Sequence, residues 1–388
     1  MKRRRLLQVT GLTIGGLFSG LIPRGQAASR EIRSIKPPNL SEANLGQKIL
    51  CYRPMRRGGP RMSVDSTGRQ IVAHNYGHGG SGWTLAPGAA TYVIDLMEDK
   101  AGGVNLSKSR PVAVVGAGVI GLFTAYELVQ RGYSNITVIA EQFDDLTSHN
   151  AAGLLAPVSI DSTPAMKAVI DRVGIEAYQF YRSVANGQQR DIRGGAKVVP
   201  AYFEDRAVSG LEPYVGVVMQ PAKDVILDFD NGTKRSMVAY DDSIFMDTAL
   251  LMKELRQVLD PVVTFEARKV ASLADLSQEI VFDCAGMGSA VLNSDSQMVS
   301  VQGHLVMLKD QIPQDLQYMV LIYLDSGTTE SGQTVKRSFY MMPKALPGTG
   351  PDDVGVIGGT FVEGATSSTP NPDEFGVMMN GARRFYGV

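Results

Sequence analysis

Apolar and polar positions change their spacing most sharply between Arg110 and Gly132. Val112–Val115 is a continuous apolar run of strand length, and after Gly116, Gly118 and Gly121 the positions Leu122, Ala125, Tyr126 and Val129 recur at helical spacing. The pattern predicts strand, tight turn, helix. A second apolar run, Ile136–Ala140, predicts the next strand and ends in Glu141. Further along, helical spacing over 165–182 and strand-like runs over 196–203, 225–229 and 262–270 alternate with a strand over 243–246, an Asp247 cap and a helix Thr248–Leu259. Ile280–Asp283 predicts one more buried strand. Before the central unit, a strand from Gln70 to Ala73 follows a turn at 65–68, a helix is expected over 88–99, and a loose linker over 102–109.

The glycine spacing of the central unit has a chemical reading. Gly116 permits a sharp turn, Gly118 lets backbone come close to a pyrophosphate, and Gly121 lets the helix pack on the strand. Phosphates then meet the positive end of that helix, which makes Gly116, Gly118, Val119 and Gly121 candidate cofactor-binding residues. Glu141, twenty residues past Gly121, is placed to accept hydrogen bonds from an adenosine ribose. The unit reads as dinucleotide-binding and does not by itself separate FAD from NAD.

At 388 residues and 44% hydrophobic composition the chain can bury a large core, and two interleaved domains are expected. Residues 1–27 read as an export signal of the twin-arginine type: Arg3-Arg4-Arg5-Leu6-Leu7, a short apolar run broken by glycines, then Ala27-Ala28. The run is too short for an ordinary membrane span, and a periplasmic location is expected. Cleavage after Ala27 removes five cations and no acid, taking the formal charge from −1 to −6. No nucleic-acid partner is expected of such a chain. Residues 28–49 read as a tether or a short peripheral element. Cys51 and Cys284 form neither a disulfide framework nor a zinc spacing; one bridge between them in an oxidising compartment is the alternative to the preferred reading, two buried thiols. The four histidines are scattered, and no metal site is expected.

Two flanking stretches carry a resemblance. Tyr52-Arg53-Pro54-Met55-Arg56 and the run His74 to Leu85, HNYGHGGSGWTL, resemble the C-terminal end of the D-amino acid oxidase family of FAD flavoproteins, while VAVVGAGVIGLFTAYEL resembles its beginning. Here the end precedes the beginning. The order implies a circular permutation, with 102–109 joining the family's old termini. The resemblance continues through Ala151-Ala152-Gly153-Leu154, Cys284-Ala285-Gly286, Gln302-Gly303-His304, Phe339 to Pro343 and Ile357-Gly358-Gly359-Thr360.

The resemblance implies an α/β fold in which a Rossmann-type FAD-binding domain (50–160 and 237–300) is interleaved with an α+β substrate domain on a mixed sheet (161–236 and 301–388). It implies FAD-dependent oxidative deamination of a D-amino acid, with oxygen as acceptor. Arg53 and Tyr340 are implied to hold the substrate carboxylate and the Gly80 carbonyl its amine. Gly79, Gly82, Trp83, Thr84, Ala152, Gly153 and Leu154 are implied along the flavin, and Val270 at the adenine. A guanidinium suits a carboxylate because its planar fork makes two parallel hydrogen bonds. Lys336 departs from the family, some of whose members carry a second tyrosine there, and Tyr323 is a candidate to replace it. Glycine- or sarcosine-type oxidation, a dehydrogenase, and an exported flavin-binding module without turnover are the competing readings. Oligomeric state is open.

Overall fold

A computed structural model describes residues 30–102, 106–345 and 349–388. The N-terminal signal reading lies outside the described residues. Two sheets organise the rest. The smaller has the strand order Thr264–Ala267, Ile136–Ala140, Val112–Val115, Ile280–Asp283, Gln70–Tyr76, Arg61–Thr67. The first five are parallel and the last is antiparallel to its neighbour. Val112–Val115 is buried throughout, as a strand covered on both faces must be. The helix Val119–Gln130 follows the glycine turn, so strand, turn and helix stand where the periodicity placed them.

The helix expected over 88–99 runs Gly82–Lys100 and begins six residues earlier than the pattern suggested. Pro87 falls inside it, and a proline inside a helix deprives the carbonyl four residues back of its donor. Here that carbonyl belongs to Trp83, and the Tyr181 hydroxyl donates to it at 2.9 Å. Tyr181 comes from the helix Pro164–Ala185, whose first turn is capped by the Thr163 hydroxyl accepting from the Met166 amide at 3.2 Å. The Asp247 cap and its helix Thr248–Leu259 also fall as read, the carboxylate accepting from the Leu250 amide at 3.1 Å.

The larger sheet is mixed and twelve-stranded. At its centre Leu45–Arg56, Met298–Leu308, Val354–Gly358, Ser338–Ala345 and Met319–Tyr323 pair in succession, all antiparallel. Two boundaries differ from those expected. Leu45–Arg56 belongs to this sheet and not to the dinucleotide unit, and Lys234–Tyr240 belongs to it as well. Of the two readings of 28–49, the described residues 30–49 fit the short peripheral element and not the tether: Glu31–Ser34 pairs in parallel with Lys223–Asp228 at the edge of the sheet, Leu40 is buried, and Leu45 already pairs with Leu308. Backbone groups without a side-chain pattern found partners far along the chain. Cys51 and Cys284 are buried free thiols.

Candidate active site

A cleft of about 730 Å³ lies between the C-terminal ends of the parallel strands and one face of the larger sheet. That is the place where open parallel sheets take up ligands, and the volume is that of a cofactor site. Gly116, Gly118, Val119 and Glu141 line one end, and Arg53, Gly80 and Tyr340 the other. Between them the wall includes Gly79, Gly82, Trp83, Ala152, Gly153, Leu154 and Val270.

At the first end, Gly116 has φ +109°, and a β carbon there would collide with the Cys284 carbonyl. Gly118 precedes the helix, whose Val119 amide donates to the Ser148 hydroxyl at 3.0 Å. Glu141 is exposed and pairs with Lys269 at 3.4 Å. Gly121 is not in the wall; a β carbon on it would collide with the Gly116 carbonyl, so its part is to seat the helix on the turn.

At the other end five sheet strands converge. Arg53 stands opposite Val301, and its guanidinium lies over Gly303. Tyr340 stands between Gly358 and Leu321, its ring lying over Gly358. The Arg53 Nη1 donates to the Thr360 carbonyl at 2.9 Å, and the guanidinium sits 5.6 Å from the Phe361 ring centroid. Burial pushes the Tyr340 phenol up to about 12, with the nearby Arg53 opposing the shift. Tyr340 is therefore a hydrogen-bond donor across the working pH range. Behind Thr360, its hydroxyl is held by His304 Nδ1, and His304 Nε2 lies 2.9 Å from the Asn371 carbonyl.

Gly80 sits at the lip, where a β carbon would come within 3.5 Å of Arg53 Cδ. Gly79 has φ +58°, a conformation that favours glycine. Trp83 is buried, donates its indole N–H to the Ser148 carbonyl at 2.9 Å and packs edge-on against Phe123. Thr84 departs from expectation: it does not line the cleft, and its hydroxyl is bound inward to the Ala156 carbonyl at 2.9 Å and the Ala156 amide at 3.1 Å. One helical position past Trp83 turns a side chain to a different face.

The family model of FAD dependent oxidoreductases, designated DAO, matches residues 111–387. This chain belongs to that family. A D-amino-acid oxidase of Streptomyces coelicolor is 27% identical over 262 residues, which is 68% of this chain and 73% of the relative. A human D-aspartate oxidase is 27% identical over 216 residues, 51% of this chain and 59% of the relative. Among solved structures, glycine oxidase from Bacillus cereus superposes with a TM-score of 0.49 at 16% identity, covering 71% of this chain and 77% of that one. Iminodiacetate oxidase from Chelativorans sp. gives 0.48 at 17%, covering 71% and 79%.

The protein is an FAD-dependent oxidoreductase of the amine and amino acid oxidase type. Its residues fit the cofactor: Gly116 and Gly153 have positive φ and no room for a β carbon, so backbone forms the wall where a flat or phosphorylated group must pass closely. Three residues escaped the sequence reading of the site, and a fourth, Tyr323, was named there as a candidate without a place. Gly303 and Gly358 were visible only as parts of QGH and IGGT motifs, because their role depends on which strands flank them. Ser148 carried no signal of its own. Tyr323 could not be placed from sequence; it pairs with Ser338, and both line the cleft beside Leu321 and Tyr340. Lys336 is exposed on Thr334–Lys336 and does not line it. Among the described residues no helix is long and apolar enough to cross a membrane.

Proposed function

We propose that this FAD-dependent oxidase acts on D-amino acids with uncharged side chains. The amino acid loses two electrons and two protons to become the imine, water converts the imine to a 2-oxo acid and ammonia, and oxygen becomes hydrogen peroxide. Bound FAD supplies the two-electron acceptor and the reactivity with oxygen. The protein's part is to hold and orient.

The observation that carries this reading is the pair Arg53 and Tyr340, converging over two glycines at the sheet end of the cleft. Arg53 keeps the substrate carboxylate, Tyr340 donates to the same group, and the Gly80 carbonyl accepts from the amine. The uncharged side chain follows from the fate of the neighbouring cations. Arg56 is tied to Asp295 at 2.8 Å, and Arg337 is held in a fork by Glu374 at 2.6 and 2.8 Å. Neither of these two arginines lines the cleft, and of the cations that do besides Arg53, Arg268 and Lys269 stand beside Glu141. A second substrate carboxylate would lie beside Leu321, Leu305 and Met342 with no free cation among the described lining residues there.

Anaerobic mixing of the FAD-loaded protein with D-alanine or D-valine is expected to bleach the flavin absorbance, while the L-isomers leave it unchanged. Bleaching by glycine or sarcosine alone would replace this reading with that of a small-amine oxidase. Full bleaching with no peroxide in air would make it a dehydrogenase.

Two further readings belong to the same proposal. The order of the motifs supports a circular permutation, since the family match starts at residue 111, leaving the HNYGHGG stretch before it. A chain rearranged to carry residues 50–101 after residue 388 is expected to fold and bind FAD. Export through a twin-arginine signal rests on the first 27 residues, and cell fractionation with and without Arg4→Lys and Arg5→Lys tests it.

A further inference from the structure

Lys344 is 1% exposed, on the strand Ser338–Ala345. Its Nζ donates to the carbonyls of His149 and Ala151, each at 2.9 Å, and to the Thr248 hydroxyl at 2.6 Å. Thr248 Oγ1 in turn lies 3.0 Å and 2.9 Å from the same two carbonyls. Among the described residues no carboxylate lies within ion-pairing distance of the ammonium. A buried cation held only by neutral oxygens is expensive, and a methionine of similar length would fill the same space.

The geometry of the peptide unit shows what the cation does. A trans peptide points its N–H opposite to its C=O, so the Ala151 carbonyl turned to Lys344 turns the Ala152 N–H the other way. Ala152 and Gly153 line the cleft, and neither amide has an acceptor among the described residues. An ammonium behind a carbonyl also polarises that peptide and sets a positive field across a thin, water-poor wall.

We propose that Lys344 is a positioning residue for the flavin, fixing and polarising the Ala151–Ala152 peptide so that its N–H is presented to the ring and the bound flavin is easier to reduce. The inference rests on the flavin reading above, with Ala152 to Leu154 alongside the ring.

The test compares the FAD-loaded protein with Lys344→Met, Lys344→Gln and Thr248→Val, reading the FAD dissociation constant by titration of apoprotein and the potential of the bound flavin by dye equilibration. Lys344→Met is expected to weaken FAD binding about tenfold and to lower the reduced-to-oxidised ratio at a fixed potential about tenfold, ~30 mV for two electrons. Lys344→Gln keeps N–H donors and loses the charge, so it lowers the potential while holding more of the affinity. Thr248→Val keeps the charge and leaves the potential in place. Wild-type potential in both Lys344 variants, with only melting temperature reduced, would overturn the proposal; should Lys344→Met fail to fold, a wild-type potential in Lys344→Gln alone overturns it. Both readouts need no substrate. A protein that binds FAD but oxidises no amino acid therefore sinks only the activity proposed above, whereas one that never binds FAD sinks both.

Discussion

A β carbon on Gly303 would stand 2.5 Å from Arg53 Nη2 and 2.8 Å from Nη1. The guanidinium thus lies flat across the strand next to its own, and only the absence of a side chain there lets it reach the cleft. Gly358 does the same for Tyr340, whose hydroxyl would be 2.5 Å from a β carbon at that position. Gly303→Ala and Gly358→Ala are each expected to displace one carboxylate-holding group while leaving the dinucleotide end intact. KM for a D-amino acid and the dissociation constant of benzoate should rise about tenfold or more, the loss of one charge-assisted hydrogen bond being worth ~1.5–3 kcal/mol. FAD affinity should stay within about twofold of wild type, since neither glycine is near the phosphate turn. Equal losses of benzoate and FAD would show that the substitutions disturb the sheet at large.

Substrate charge gives a second test. With Arg56 on Asp295 and Arg337 on Glu374, a D-aspartate side chain would bury a carboxylate with no counter-ion. An uncompensated buried charge costs roughly 3–5 kcal/mol, so kcat/KM for D-aspartate should lie at least about 100-fold below that for D-alanine. Steady-state oxygen uptake on the two substrates measures it. Comparable values would mean that one of the arginines leaves its acid when substrate enters.

The early start of the helix Gly82–Lys100 depends on one hydroxyl. Tyr181→Phe leaves the Trp83 carbonyl without a donor in a buried place, at about 1–3 kcal/mol. Chemical denaturation should show that loss. Because Gly82 opens this helix and Gly79 and Gly80 stand in the short turn just before it, FAD affinity should fall with it. Unchanged stability would mean that another donor takes over the carbonyl.

What the sequence disclosed and what it hid divide along chain distance. The glycine turn, the strand Ile136–Ala140 and the Asp247 cap are local: turn geometry, apolar run and cap are each complete within a few residues. Arg53 and Tyr340 were reachable only through resemblance, because nothing near either residue says that they face one cleft. Gly303 and Gly358 matter through register, which sets Gly303 against Cys51 and Gly358 against Tyr340. The helix start was hidden for the same reason, its missing donor being supplied from 98 residues away. The strand Glu31–Ser34, with its polar sequence, has no pattern apart from its partner Lys223–Asp228.

Lys344 also makes a prediction about folding. Burial pulls its ammonium down to about 8, against an ordinary 10.5, with Asp247 acting the other way. His149, itself lowered by burial, is the other ionisable residue facing it. Below about pH 8 both folded and unfolded chains carry the proton, and the folded state bears the full desolvation penalty. Between about 8 and 10.5 the folded chain has released the proton while the unfolded chain still binds it, so stability rises with pH across that window. The comparison with Lys344→Met removes every other titration common to both proteins. The stability of wild type relative to the variant should increase from pH 7.5 to 10.5 by on the order of 2–3 kcal/mol. Parallel melting curves across that range would show that Lys344 keeps an ordinary ionisation in the folded protein, which would place water or an unseen acid beside it.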